Sequence, residues 1–139
     1  MLWPMQVSLS SALHAQLLAA ARAAHPHECC GLLFGDDAAV HRIAPTPNVS
    51  QDPSRAFEIE PGALIAAERA MRQGGDRLIG HYHSHPNGRA EPSPRDAADA
   101  AADDRLWLII AGDIITAWRA VAQGVLLDRF DPVALHLAT

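Results

Sequence analysis

The chain contains no lysine; all eleven basic residues are arginine. Beside so much alanine, that skew reflects a GC-rich genome more than a function. Basic residues are also outnumbered. Sixteen acidic side chains leave a net charge of −5 at pH 7, which argues against nucleic acid or an anionic membrane as the main partner. Cysteine is scarce, and Cys29 and Cys30 are adjacent. Neighbours on a strand point to opposite faces and make poor disulfide partners, so a reduced, cytoplasmic setting is expected. No apolar run is long enough to span a bilayer. The alanine-rich stretch Leu13 to Ala24 lacks a basic leader and is interrupted by His14, Gln16 and Arg22. It reads as a helix rather than a signal peptide.

What is present fits one domain over residues 1–139. The apolar fraction of 49% and charged fraction of 19% are ordinary for a globular chain. Ser10 or Ser11 can cap a helix to about Ala24. Cys29 to Phe34 reads as a buried strand, closed by a turn at Gly35-Asp36-Asp37, with Ala38 to Ala44 returning as a hairpin. Pro45 to Arg55 is loop, Phe57 to Ile59 a short strand, and Pro61 opens a helix continuing from Ala63 to Arg72. Leu78 to Ser84 is a strand, and Ser93-Pro94 opens a helix to about Ala102. Leu106 to Ala111, Ile114 to Ala120 and Val125 to Phe130 read as three further strands, with a tight turn at Gly112-Asp113. The expected class is mixed α/β, a single central sheet flanked by a few helices.

The chemistry concentrates in His83-Ser84-His85-Pro86, followed by Ser93 and Asp96. Alternation on a strand sends His83 and His85 to one side and Ser84 to the other. Two neutral imidazoles converging from one strand can chelate Zn²⁺, and a carboxylate from the next element can complete a three-ligand site with an open fourth position. Such an open site is hydrolytic rather than structural. His81 competes, since His81 and His83 share the same spacing. The later pair is nearer the loop and nearer Asp96. Ser93 and Asp96 also read as an ordinary helix start, with Ser at the N-cap, Pro at N1 and an acid at N3. Glu28 precedes a buried strand and gains value from the need for a general base near a metal-activated water. Cys30 shares its face and reads either as a thiolate ligand or as a small buried hydrophobe. His14, His25, His27, His41 and His136 are scattered and read as surface or packing residues.

Glu28, His83, Ser84, His85, Pro86, Ser93 and Asp96 together spell E…H-S-H-P-x₆-S-x-x-D. This pattern resembles the JAMM (MPN-domain) zinc metallopeptidases, in their compact prokaryotic form. Glu28-Cys29-Cys30-Gly31-Leu32-Leu33, Asn48, and Phe57-Glu58-Ile59-Glu60-Pro61 look similar too. The resemblance runs from the first helix to about Phe130 and implies a curved sheet with helices packed on it, related in outline to the cytidine deaminases. The deaminase signature itself is absent. It implies one Zn²⁺ per chain held by His83, His85 and Asp96, with Glu28 as general base and Ser93 as an oxyanion donor. Where the family often carries an aromatic, this chain has His81. The implied substrate is a peptide or isopeptide bond at the C-terminus of a ubiquitin-like or sulfur-carrier protein, whose extended tail is expected to add to a sheet edge. The alternatives are a non-catalytic MPN-type interaction module and a metal-dependent deaminase or amidase acting on a small molecule.

Overall fold

The structure is a computed structural model and describes residues 6–139; the first five residues of the expected domain lie outside the described residues. Seven strands form one sheet in the order β1-β7-β6-β5-β4-β2-β3. The strands are β1 (Gln6–Ser10), β2 (Cys30–Gly35), β3 (Val40–Thr46), β4 (Leu78–Ser84), β5 (Leu106–Ala111), β6 (Ile114–Ala120) and β7 (Phe130–Ala138). Three helices accompany them: α1 (Ser11–Ala24), α2 (Pro61–Arg72) and α3 (Pro94–Asp99). The sheet curls until its edges meet, where the Ser8 amide donates to the Ala38 carbonyl at 2.8 Å. No helix among the described residues is long and apolar enough to cross a membrane.

β4 is central, antiparallel to β2 and parallel to β5. Its alternation divides the molecule. Tyr82 is fully buried with Leu9, Leu33, Leu108 and Ile110 in the main core, against which α1 packs through Leu13, Leu17 and Ala21. Gly31 faces Tyr82 across the strands; a Cβ there would collide with the ring, so only glycine lets the aromatic lie across β2. His81 and His83 point to the opposite side, beside Trp107, which packs with Phe57, Ala97, Ala100 and Phe130. α2 covers Leu32, Phe34 and Leu78 through Leu64, Ala67 and Met71.

Several elements depart from the sequence expectation. β1 lies outside the expected elements; it pairs in parallel with β7, Gln6 opposite Ala134. The segment Val125 to Phe130, expected as a strand, turns back on itself, with Leu127 and Asp128 in the left-handed region (φ 52° and 57°). The last strand therefore begins at Phe130. β3 starts at Val40 rather than Ala38, because the Asp36 carboxylate accepts the Ala38 and Ala39 amides and holds both in the turn. α3 ends at Asp99 instead of Ala102, since Ala100 is extended (ψ 134°) and packs toward Trp107. Phe57 to Ile59 forms only a single bridge, Ile59 opposite Asn48.

Candidate metal centre and cleft

The C-terminal end of β4 delivers His83, and the His85 amide extends the ladder by donating to the Ile110 carbonyl at 2.8 Å. The His85 Nδ1 lies 2.8 Å from the Arg89 carbonyl. A carbonyl only accepts, so the proton sits on Nδ1 and the Nε2 lone pair faces inward. There, His85 Nε2 lies 2.9 Å from His83 Nε2 and 3.1 Å from Asp96 Oδ2. His83 Nε2 is 3.3 Å from the same oxygen. Atoms bound tetrahedrally to zinc at its usual bond lengths stand about 3.3 Å apart. Three electron-rich atoms this close in a buried site need a cation or shared proton between them, and the donor set suits a divalent metal of the zinc type. Phe57 stacks on the His83 ring at 4.1 Å and Trp107 meets it edge-on, so its orientation is fixed by packing.

Asp96 arrives on α3, whose first turn is a capping box. The Ser93 Oγ accepts the Asp96 amide at 3.0 Å, and the Asp96 Oδ2 accepts the Ser93 amide at 2.9 Å. Helix cap and converging carboxylate are therefore the same arrangement: the cap aims the oxygen. The Ser93 hydroxyl keeps its own proton to donate and lines the cleft. Burial would raise the Asp96 carboxyl, but the His83 and His85 rings and the Ser93 amide hold it well below the usual carboxylate range. Burial pushes His83 down. For His85, burial opposes protonation, yet Asp96, the Arg89 carbonyl and Glu28 outweigh it and raise the value.

Glu28 sits in the turn before β2, buried, with a carboxylate oxygen within 4.8 Å of the ligand nitrogens of His83 and His85. Its Oε1 has no hydrogen-bond partner among the described residues. Burial raises its carboxyl from 4.5 to about 7, with His85 pulling it down and Asp96 pushing it up. Such a group takes and returns protons near neutrality. The backbone of Glu28 is held from outside. Its amide donates to the Pro53 carbonyl at 2.7 Å, and the Asn48 Nδ2 donates to its carbonyl at 3.0 Å.

The remaining sequence candidates fall elsewhere. Ser84 turns away from the histidines, as alternation requires, and its Oγ accepts the Cys29 amide. Cys30 directs its thiol at Thr46 and Pro47, 3.6 to 3.8 Å away. The His81 ring lies 6.5 Å from that of His83, between Phe57 and Trp107, and burial pulls its pKa to about 3. Asn48 and Phe57 carry positional roles that spacing alone gives no reason to assign. The signal for both in the sequence is their place in the family resemblance, which gives them no role by itself.

Residues 10–121 match the family described as prokaryotic homologs of the JAB domain. The chain belongs to this family. Curated relatives include a desampylase of Haloferax volcanii, 36% identical over 90 residues (63% of this chain, 65% of that one). A probable TtuB-protein conjugate cleaving protease of Thermus thermophilus is 44% identical over 75 residues (54% and 50%). A CysO-cysteine peptidase of Mycobacterium tuberculosis is 29% identical over 97 residues (68% and 66%). The matches thus span half to about two thirds of the length of these relatives. Among solved structures, a Desulfitobacterium hafniense protein covers 95% of this chain and 92% of its own at TM-score 0.79 and 30% identity. A JAB1/MPN domain protein from Archaeoglobus fulgidus shares the fold at TM-score 0.56 and 18% identity (94% and 97%). The curled mixed α/β sheet is the fold of this JAMM family.

Proposed function

We propose that this JAB-family chain is a zinc-dependent peptidase or isopeptidase acting at the C-terminus of a ubiquitin-like or sulfur-carrier protein. The observation that carries the reading is the convergence of His83, His85 and Asp96 within 3.3 Å of one another, with Glu28 beside them. The names of the curated relatives support the substrate class. In this reading His83 and His85 through Nε2, and Asp96 through Oδ2, hold one Zn²⁺. When bound, zinc supplies Lewis-acid chemistry, acidifying water and polarising a carbonyl.

The side chains supply the rest. Glu28 takes a proton from the attacking water on its carboxylate as the water oxygen bonds to the scissile carbonyl carbon. It then passes that proton to the leaving nitrogen as the carbon–nitrogen bond breaks. The Ser93 hydroxyl donates to the carbonyl oxygen as negative charge grows there. Asn48 and Ser84 hold Glu28 and the histidines in register. The unbridged adjacent thiols fit a cytoplasmic setting.

Metal content by mass spectrometry on protein purified without a metal-binding tag tests the reading. We expect about one zinc per chain, lost in His85→Ala and Asp96→Ala and kept in Glu28→Ala and His81→Ala. Cleavage of a Gly-Gly-tailed ubiquitin-fold protein is expected from the wild type and lost in Glu28→Ala. Failure to take up zinc, even after addition, overturns the peptidase and leaves a non-catalytic interaction module.

A further inference from the structure

We propose that Arg55 recognises the α-carboxylate of the residue released by cleavage, so that the preferred bond is a peptide bond to a C-terminal residue rather than an isopeptide bond to a lysine. This rests on the peptidase reading and specifies its substrate. Glu28, Ser54, Arg55, His85, Pro86, Asn87 and Ser93 line one cavity of about 420 Å³. Arg55 is its only cationic side chain besides the histidine. Other arginines near the cleft have acidic neighbours, Arg89 with Glu91 and Arg95 with Asp99, each at 3.9 Å. No carboxylate among the described residues pairs with Arg55.

The backbone that carries this guanidinium is tied to that of Glu28. The Arg55 and Ala56 amides both donate to the Asp52 carbonyl, at 3.1 and 2.9 Å. Pro53 in the same turn accepts the Glu28 amide. The Asn48 Nδ2 bridges the Ala56 and Glu28 carbonyls, at 3.0 Å each. The Arg55 turn and Glu28 therefore form one fastened unit.

The chemistry then selects the ligand. The leaving nitrogen must face Glu28 to receive its proton. In a C-terminal residue the carboxylate carbon is two bonds from that nitrogen, so it emerges on the Glu28 side of the cavity. An anion placed beside Glu28 and Asp96 is repelled unless a cation meets it, and a guanidinium fork matches a carboxylate in charge and geometry. A lysine ε-nitrogen brings no such charge and leaves Arg55 without a partner.

The test uses the zinc-loaded Glu28→Gln protein, which leaves the peptide uncut, and two probes: acetyl-Leu-Gly-Gly-Ala as the free acid and as its C-terminal amide. Calorimetry should show the acid binding about fivefold more tightly, with the preference shrinking at high salt. Adding Arg55→Gln should bring the ratio to about one with zinc content and Tm unchanged, and Arg55→Lys should fall between. Equal binding of acid and amide, a preference that survives Arg55→Gln, or no binding of either probe overturns the assignment. If the acid preference and its loss are seen but the wild type cleaves neither probe nor a tailed protein, the peptidase reading fails and the bond preference falls with it, leaving Arg55 as a carboxylate-binding group only.

Discussion

The hydroxyl of Ser84 accepts the amide of Cys29 at 2.8 Å, and the Ser84 amide donates back to the Cys29 carbonyl at 3.1 Å. One residue thus lies between the two converging histidines on β4 and grips the residue that follows Glu28. The spacing between the histidine strand and Glu28 is fastened by this pair.

Ser84→Ala keeps the backbone bond and removes the other. The Cys29 amide then loses its partner, at a cost of about 1–2 kcal/mol. We expect zinc to remain at one per chain and kcat to fall about tenfold with little change in KM, because Glu28 loses its register while the two histidines keep theirs. Urea denaturation, metal analysis and steady-state kinetics check this. An unchanged kcat would reduce the bond to a purely stabilising one.

Asn48 spends its whole amide on backbone. Its Nδ2 donates to the Glu28 and Ala56 carbonyls, and its Oδ1 accepts from Ser50 and Glu58, all at 3.0 Å. Asn48→Ala strips partners from four backbone groups at once. The expected loss is about 2–4 kcal/mol of stability, together with lost activity, while zinc is retained. Asn48→Asp keeps an acceptor for Ser50 and Glu58 but cannot donate to the two carbonyls, so it should lose activity as the alanine variant does, at a smaller cost in stability.

Glu28 should cost the metal-free protein stability at neutral pH. Its carboxyl is raised from 4.5 to about 7 by burial. The folded state therefore favours the protonated form. That contribution is complete below pH 4.5 and is lost as pH rises through 7. Glu28→Gln has no such proton to lose. In chelated samples the variant should exceed the wild type by about 1 kcal/mol at pH 8 and show no advantage at pH 4, as read by urea midpoints across that range. A gain that is equal at both pH values would mean that the carboxylate is not desolvated.

The part of the fold carried by local pattern was readable from residues. α1 with its Ser10 cap, α2 opening at Pro61, and strands β2, β4, β5 and β6 emerge where periodicity and punctuation agree. The elements that escaped depend on distant partners. β1 is five residues long, and its two buried side chains, Val7 and Leu9, have meaning only beside β7. β7 contains Pro132, which argues against a strand in sequence, while the apolar run before it invites one. Val125 in that run is 81% exposed, so hydrophobicity there does not report burial. At the site, the alternation of His83 and His85 and the cap at Ser93 were visible in spacing. The inward lone pair of His85 was not, because the Arg89 carbonyl that sets it follows from loop geometry. Nor was the link between Arg55 and Glu28, which runs through Asn48 and the Asp52 turn.

The pairing of residue 6 with residue 134 in parallel also has a kinetic meaning. The β2–β3 and β5–β6 hairpins close short loops, whereas β1–β7 joins opposite ends of the described chain and must wait for the strands between them. His83 and His85 lie on β4, and Asp96 lies in the crossover between β4 and its parallel partner β5. The connection that carries Asp96 is anchored at both ends once β4 and β5 pair, which holds the three side chains together. A metal ion held there would slow unfolding and leave the rate of folding nearly unchanged.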